Sequence, residues 1–219
     1  MDNSLAAHSS LDIRVIPLLC PGCGNPLPAG EDDVIFVCAS CAASWELVDG
    51  SLVRRELYHL AGKGDVRLPF WILPFWILPF QVTTREGVVE ILAAYRNLTG
   101  SLPVGNGGVD AVSPNLFVPA CPFSSPTHLV RAGRLLTLRQ PSVTPVPCRP
   151  ERIAPIVFRE EDARNMGEVI LLATVTEERK KSFAFLESFS FRPAKGMLFT
   201  IPFEEKGSKF YHAGMNLEL

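Results

Sequence analysis

Short apolar runs broken by prolines and glycines recur along the chain, and this pattern favours strands and turns over long helices. Near the start, β-forming residues predict strands over Arg14 to Leu19, Val34 to Val37 and Trp45 to Val48. The last of these strands ends at an Asp49-Gly50 turn. These elements predict a small β-rich module at the beginning of the chain.

Helical signals occur only in the later part of the chain. Helices are predicted over about residues 85–98, 125–139 and 160–174. Their starts carry residues typical of helix N-termini: a threonine, a Ser-Pro pair and a run of three acidic residues. Together with the strands, they predict an α+β fold class, with a β-rich α+β domain of about three helices.

The segment FWILP occurs twice in tandem, at residues 70–74 and 75–79. A period of five matches neither the strand period of two nor the helical period of 3.6. The repeated prolines predict an extended strand at the edge of a sheet. If the aromatic side chains of this strand are exposed, they form an interface patch of Phe70, Trp71, Phe75 and Trp76.

The end of the chain is predicted to form a hairpin, with strands from Phe183 to Phe191 and from Met197 to Phe203. Three related motifs, LPF, VPACPF and IPF, each close an apolar strand, and two of them precede a predicted helix. Two interpretations remain open for this echo. It reflects either a divergent strand–helix repeat or shared composition.

Composition sets the class of protein. Hydrophobic residues make up 47% of the chain and charged residues 20%, so a core can form and wholesale disorder is excluded. The one stretch apolar enough to suggest a membrane, Leu68 to Phe80, is shorter than the roughly 20 residues that span a bilayer and is broken by prolines, so no transmembrane segment is expected. The start of the chain lacks the features of a secretory signal, and a cytoplasmic protein is expected.

Charge divides the chain unevenly. One basic residue against seven acidic ones gives residues 1–49 a charge of −6, whereas twelve basic against six acidic residues give residues 50–159 a charge of +6. Residues 160–219, with eight basic and ten acidic residues, carry −2. Composition and pattern together predict an N-terminal arm (1–14), a metal-binding module (15–60) and an α+β domain (61–219).

The strongest chemical signal is a pair of C-x2-C motifs separated by fourteen residues. Each motif forms a knuckle that presents two thiolates to one ion, and two knuckles complete a tetrahedral shell of four sulfurs. Four thiolates leave no open position on zinc, so the predicted site is structural, with one zinc ion as cofactor. The predicted ligands are Cys20, Cys23, Cys38 and Cys41.

Two alternatives to a zinc site are less consistent with the sequence. Four unrelated buried cysteines are disfavoured by the spacing and by the glycines of the first knuckle. Iron is the second alternative, because the sequence CPGCG resembles the first knuckle of rubredoxins. However, Ala42 stands where rubredoxins place a glycine after the last ligand. Zinc is therefore favoured over iron.

Residues 20–53 resemble a zinc ribbon and are similar in particular to the small zinc-ribbon adaptors that partner methyltransferases. The matching features are the two cysteine pairs, the apolar strand before the second pair, Trp45 and the Asp49-Gly50 turn. Ser51-Leu52-Val53 stands where that group has a proline after the turn. The resemblance implies a protein-docking role. The remainder of the chain resembles uncharacterised bacterial zinc-ribbon proteins, which implies no chemistry.

No sequence motif indicates an active site. The four histidines form none of the paired arrangements of metalloproteases, and no sequence motif marks a serine or cysteine beside one of them as a candidate nucleophile. Cys121 and Cys148 are interpreted as buried, inert thiols. The Gly105–Gly108 stretch lacks the lysine of a phosphate-binding loop and is interpreted as a turn. The protein is therefore expected not to be an enzyme, and no small-molecule substrate is expected.

A cluster of arginines follows residue 130. Arginine suits bidentate contact with carboxylates or phosphates, so these residues are predicted partner- or anion-binding residues unless they form a solvated face or pair with the acidic module. They are Arg131, Arg134, Arg139, Arg149 and Arg152. Two functions follow: an adaptor that docks protein partners, and a nucleic-acid-binding protein that uses the segment from Arg131 to Arg159. The acidic metal module disfavours the second, because phosphate contacts need basic residues.

Overall fold

The computed structural model describes residues 16–60, 70–83, 115–141, 145–147, 152–178, 190–207, 209–212 and 217–219. Within these ranges the chain forms a three-stranded sheet, an eight-stranded sheet and two helices. This confirms a mixed fold in which strands dominate.

The small sheet contains β1 (Ile35–Val37), β2 (Ser44–Val48) and β3 (Ser51–Arg55), which pair antiparallel in that order. Asp49 and Gly50 join β2 to β3 and both have positive φ, 48° and 79°, as the tight turn of a two-residue hairpin requires. The predicted turn is therefore confirmed. Because strand side chains alternate, Phe36 and Trp45 share one face of this sheet, and Ile35 and Glu46 share the other.

The large sheet gathers strands from distant parts of the sequence. Its order runs β11-β10-β9-β4-β7, and β5 joins through β9 while also pairing with β6 and β8. The strand β4 lies within the range predicted for the metal module, yet it pairs parallel with β9 and antiparallel with β7. The strands are β4 (Leu57–Leu60), β5 (Phe70–Thr83), β6 (Asn115–Pro119), β7 (Pro145–Pro147), β8 (Ser190–Pro193), β9 (Met197–Lys206), β10 (Lys209–His212) and β11 (Leu217–Glu218).

Two of the predicted helices are present. Helix α1 spans Pro126–Arg139, with the Ser125 side chain accepting a hydrogen bond from the backbone N–H of His128 at 3.3 Å. Helix α2 spans Glu160–Glu178 and has acidic residues in its first turn, as predicted. The helix predicted over residues 85–98 lies outside the described residues. No helix among the described residues is long and apolar enough to cross a membrane.

The tandem FWILP segment forms β5, and its predicted position at a sheet edge is wrong. One side of β5 pairs with β6, from Phe75 to Pro79, and the other side pairs with β9 and then with β8. The prolines are accommodated because their missing N–H groups fall where partner strands end. The carbonyl of Pro74 accepts from Ala120, just past β6, and that of Pro79 accepts from Ala194, between β8 and β9.

An odd period explains why the expected aromatic patch does not form along β5. Residues five apart in a strand face opposite sides of the sheet, so equivalent positions of the two FWILP copies point in opposite directions. Trp71 is 37% exposed, whereas Trp76 is 2% exposed and Phe75 is fully buried. The patch prediction is therefore wrong for Phe75 and Trp76. The side chain of Phe70 lies outside the described part of the chain.

The C-terminal hairpin is also not formed as predicted. The strands β8 and β9 do not pair with each other, because both pair antiparallel with β5, one after the other. The break between them is held by α2: the Glu160 side chain accepts from the backbone N–H of Gly196 at 2.9 Å, and Arg164 donates to the carbonyls of Pro193 and Ala194. The hairpin strand from residue 183 to 189 lies outside the described residues.

Helix α1 covers the outer edge of β6 with polar side chains. The Thr137 hydroxyl accepts from the backbone N–H of Phe117 at 3.0 Å. The Gln140 side-chain amide accepts from the N–H of Asn115 and donates to its carbonyl, at 2.9 and 2.5 Å. An edge strand with open backbone groups invites aggregation, and these side chains occupy those groups.

A glycine allows α1 to lie close to both β6 and α2. A Cβ added at Gly133 would stand 2.5 Å from Cδ1 of Ile170 and 2.8 Å from the backbone oxygen of Phe117. We expect Gly133→Ala to lower the free energy of unfolding by about 1–3 kcal/mol, because the added methyl group would clash with the β6 backbone, which cannot move aside easily. This clash outweighs the higher helix propensity of alanine. Urea denaturation measures this change.

The control for that variant is Thr127→Ala, in the exposed first turn of α1, which we expect to change the free energy of unfolding by less than about 0.5 kcal/mol. A Gly133→Ala protein more stable than the wild type would contradict the close approach of the helix to β6.

Candidate metal centre

The four cysteines of the two C-x2-C motifs converge at one point. Their sulfur atoms all lie within 4.8 Å of one another. Two cross-knuckle pairs are closest, with 3.6 Å between the sulfurs of Cys20 and Cys41 and 3.5 Å between those of Cys23 and Cys38. In a tetrahedral zinc site with metal–sulfur distances of about 2.3 Å, neighbouring sulfurs lie about 3.8 Å apart. The cluster therefore fits a metal ion in a tetrahedral four-sulfur shell.

The first knuckle is a tight turn closed by its own backbone. The carbonyl of Cys20 accepts from the N–H groups of Cys23 and Gly24, at 3.3 and 2.8 Å, while the N–H of Cys20 donates to Asn25 at 2.8 Å. Gly24 has a φ of 75°, which glycine adopts without strain. A Cβ at Gly22 would meet only ordinary contacts, so the conformation of the turn depends on Gly24.

The second knuckle repeats this geometry without glycine. The N–H of Cys38 donates to the carbonyl of Ala43 at 2.8 Å, and the N–H of Ala42 donates back to the carbonyl of Cys38 at 2.9 Å. Ala42 has a φ of 59°, in the left-handed region that disfavours residues with a Cβ. The knuckle therefore carries backbone strain at the position where rubredoxins have glycine.

The thiols of the cluster differ in the direction of their pKa shifts. Although burial raises the pKa of Cys20, N–H groups of Gly22 and Cys23 directed at its sulfur lower it to about 6. N–H groups of the second knuckle likewise lower the pKa of Cys38. The N–H of Ala43 acts to lower the pKa of Cys41, but desolvation and the neighbouring thiols raise it to about 12. Without a cation, four sulfurs at these distances do not all ionise at neutral pH.

A small core surrounds the cluster. Trp45 on β2 is buried, and Cζ2 of its ring would lie 3.6 Å from a Cβ placed on Gly22. Leu27, Phe36 and Ala43 complete this core together with the two buried cysteines, Cys20 and Cys38. Such a core is too small to fold a module alone, so a bound ion supplies much of its stability.

The opposite face of the small sheet is fixed to the larger domain. Ile35 and Ile156 form an isolated bridge, in which the Ile156 carbonyl accepts from the N–H of Val34 at 2.9 Å. Both isoleucines are buried in the core that also contains Leu116 and Leu171. The metal-binding module therefore shares its second face with the main core.

A buried carboxylate reinforces this junction. Glu46 on β2 is 4% exposed and pairs with the Arg55 guanidinium of β3. The Nε of Arg159, just before α2, lies 3.8 Å from the second oxygen of Glu46, and its Nη2 donates to the Leu47 carbonyl at 2.9 Å. Glu46 is buried, whereas the side chains of Arg55 and Arg159 are 33% and 45% exposed. The two arginines therefore compensate for a carboxylate removed from water and hold the module against the start of α2.

The described members of the predicted arginine cluster lie on two separate segments of the chain. Arg131, Arg134 and Arg139 lie on α1, and Arg131 contributes to lowering the pKa of Glu218, which the hydrogen bond from Lys209 lowers most. Arg152 lies on a separate segment and adopts a left-handed φ of 59°. Arg149 lies outside the described residues.

The other cysteines, histidines and acidic residues form no second potential metal site among the described residues. Cys121 is buried, and burial raises its pKa to about 12. His59 and His212 are half-buried with pKa values lowered by desolvation, and His128 contacts the Ser124 hydroxyl at 2.7 Å. Cys148 and His8 lie outside the described residues. Spacing identified the four ligands, but no sequence signal indicated the role of Glu46.

No model of a known protein family, no curated protein and no solved structure matches this chain. The cluster of four sulfurs is by itself consistent with a zinc-ribbon-like motif. The more specific resemblance to methyltransferase adaptors stays a prediction.

Loss of one ligand is expected to release the ion. We expect Cys38→Ser to reduce bound metal from one ion per chain to near zero and to unfold the small sheet. Three thiolates bind the ion too weakly, and the small core alone does not offset the conformational entropy that the module loses on folding. Elemental analysis of the purified protein measures the metal. Cys121→Ala, which changes a buried cysteine outside the cluster, is expected to retain it. Stoichiometric metal in Cys38→Ser would disprove the ligand assignment.

Backbone strain in the second knuckle predicts that one substitution there stabilises the protein. We expect Ala42→Gly to raise the free energy of unfolding by about 0.5–1 kcal/mol, because glycine accepts the positive φ. The midpoint of thermal or urea unfolding of the metal-loaded protein measures it. Ala39→Gly, at an exposed position of the same knuckle, is the control and is expected to be neutral or slightly destabilising. Equal effects of both changes would contradict the strain.

Proposed function

We propose that this chain is a non-catalytic zinc-binding adaptor that acts within a larger protein assembly. The single observation that carries the proposal is the convergence of four cysteine sulfurs within 4.8 Å of one another. Cysteines at positions 20, 23, 38 and 41 would hold the ion, and zinc suits them because it prefers a tetrahedral shell of thiolates in cytoplasmic proteins.

The donor set favours a structural role. Catalytic zinc sites keep one position open for water or substrate, whereas four thiolates fill the coordination shell. An ion held in this way stabilises the fold of the module by about 10–16 kcal/mol and leaves no position for a reacting group. The metal-binding module is therefore proposed to present a surface and not to perform a reaction.

The junction with the large domain supports an adaptor over an isolated metal module. Glu46, Arg55 and Arg159 tie the small sheet to the start of α2 by ion pairs and by a hydrogen bond to the Leu47 carbonyl. Two surfaces joined in this manner keep a fixed orientation. A fixed orientation allows one partner to be placed relative to another.

The test uses the full-length chain, purified by an affinity tag from its native host. We expect one or more proteins to co-elute at a constant ratio with the wild type and with Cys121→Ala, and to be lost with Cys38→Ser, because the docking module requires its ion. Mass spectrometry identifies these proteins, and repeating the elution with purified components shows whether the contact is direct.

Two outcomes contradict the adaptor proposal. In one, the wild type elutes alone in every preparation. In the other, nucleic acid co-elutes, and the affinity for generic DNA or RNA falls steeply as salt rises. The second outcome would establish the nucleic-acid function, in which arginines from Arg131 to Arg159 contact phosphates.

A further inference from the structure

A cleft lies where the metal-binding module meets the larger domain. It has a volume of about 370 Å³, within the range of specific binding sites. One wall belongs to the metal-binding module and includes the loop from Pro28 to Gly30, β1 and Ala39 of the second knuckle. The other wall is the segment from Arg152 to Ile156. No residue of this cleft takes part in metal coordination.

The cleft runs along the edge of a strand. Ile35, Phe36 and Val37 are consecutive residues of β1 and all line it. Side chains of a strand alternate between faces, so three consecutive residues can line one cleft only along the strand edge. Within the described ranges, this edge is paired only at its start, where the N–H groups of Val34 and Ile35 donate to the Ile156 carbonyl.

The hydrogen-bond pattern of β1 shows where its next backbone groups point. The carbonyl of Val34 accepts from Leu47, and the N–H of Cys38 donates to Ala43, so even-numbered residues of this segment face β2. The N–H of Val34, at the start of the segment, is the exception and donates to Ile156. Ile35 faces the other way, since its N–H donates to the Ile156 carbonyl. By the same alternation the N–H and C=O of Val37 point outward, into the cleft. Together these groups can pair with an added strand.

A carboxylate stands on the wall of the same cleft. One oxygen of Asp33 accepts from the N–H of Gly30 at 2.6 Å. The other oxygen, Oδ1, is buried and has no hydrogen-bond partner among the described residues. A carboxylate oxygen removed from water without a partner is costly, and a cationic donor compensates for it best.

Charge around the cleft favours a basic occupant. Asp33 is preceded by Glu31 and Asp32, both exposed, within a stretch of the chain whose net charge is −6 from residue 1 to 49. Arg152 is the one basic residue on the cleft wall, and it can donate to a backbone carbonyl or a carboxylate of the occupant. An extended peptide offers carbonyls along its length together with a cationic side chain at one position.

We propose that this cleft binds an extended peptide segment of a protein partner, with its backbone paired to the outer edge of β1 at Val37 and a lysine or arginine side chain placed at Asp33. The proposal rests on the adaptor function and adds to it the chemistry of one partner. The contact between the partner's cation and the carboxylate sets specificity, while the strand pairing supplies the register.

The test uses the zinc-loaded, isotope-labelled full chain and a capped probe peptide, Thr-Val-Thr-Lys-Val-Thr-Val. We expect the peptide to shift the amide resonances of Val37, Ala39 and residues 152–156 in nuclear magnetic resonance spectra. Asp33→Asn, which keeps an oxygen for the Gly30 N–H, is expected to weaken binding about tenfold. The matched control, Asp32→Asn, removes the same charge from an exposed side chain off the cleft wall and is expected to weaken binding less than about twofold, because solvent screens that charge.

Peptide variants test the two contacts separately. A probe with glutamate in place of lysine should bind at least tenfold more weakly, and so should a probe with alternate amides N-methylated. Equal binding of the N-methylated probe would show that the cleft binds the lysine side chain without backbone strand pairing, and it would overturn the strand-pairing part of the proposal. Equal affinity of Asp33→Asn, equal binding of the glutamate probe, or shifts confined to other residues would each overturn the proposal.

Two further outcomes separate this proposal from related ones. If the same amides shift with protein concentration in the absence of peptide, a second copy of this chain occupies the cleft and the proposal fails. If Asp33→Asn still co-elutes with the full set of partners, the adaptor function stands and only the proposed cleft contact is overturned.

Discussion

Gathering four thiols around one cation is the constraint on which the amino-terminal module depends. Its interior consists of four apolar side chains packed against the cysteines, which buries too little surface to fold alone: Leu27, Phe36, Ala43 and Trp45. Opposed pKa values at Cys20 and Cys41 express the same constraint, because protons remain in the cluster until a cation replaces them. An ion bound there would hold β1 and β2, and with them Ile35 and Glu46, in position.

In the large domain, the main constraint is the presence of prolines in the central strand β5. A strand with prolines at two described positions can be central only if each missing N–H falls beyond the end of a neighbouring strand, and the ends of β6 and β8 satisfy this requirement. The break after β8 must then be fixed, which Glu160 and Arg164 of α2 do. Proline placement, strand ends and helix start are therefore parts of one arrangement.

Local signals in the sequence predicted local structure well. Cysteine spacing, the Asp49-Gly50 turn and the start of α1 at Ser125 depend on a few neighbouring residues, and the structure confirms all three. Strand neighbours depend on residues far apart in the chain, so β5 was wrongly predicted at an edge and β8 and β9 as a hairpin. The left-handed Ala42 and the buried Glu46 were missed because ordinary sequence patterns carry no sign of either.

The metal cluster and the proposed peptide cleft are physically linked. The module's wall of the cleft is built from the loop between the knuckles, from β1 and from Ala39, which stands between Cys38 and Cys41. Each of these pieces takes its position from the four cysteines, whereas the opposite wall belongs to a segment held by Ile72 of β5. Loss of the ion would therefore remove one wall and leave the other. A structural metal can in this way control partner binding without contacting the partner.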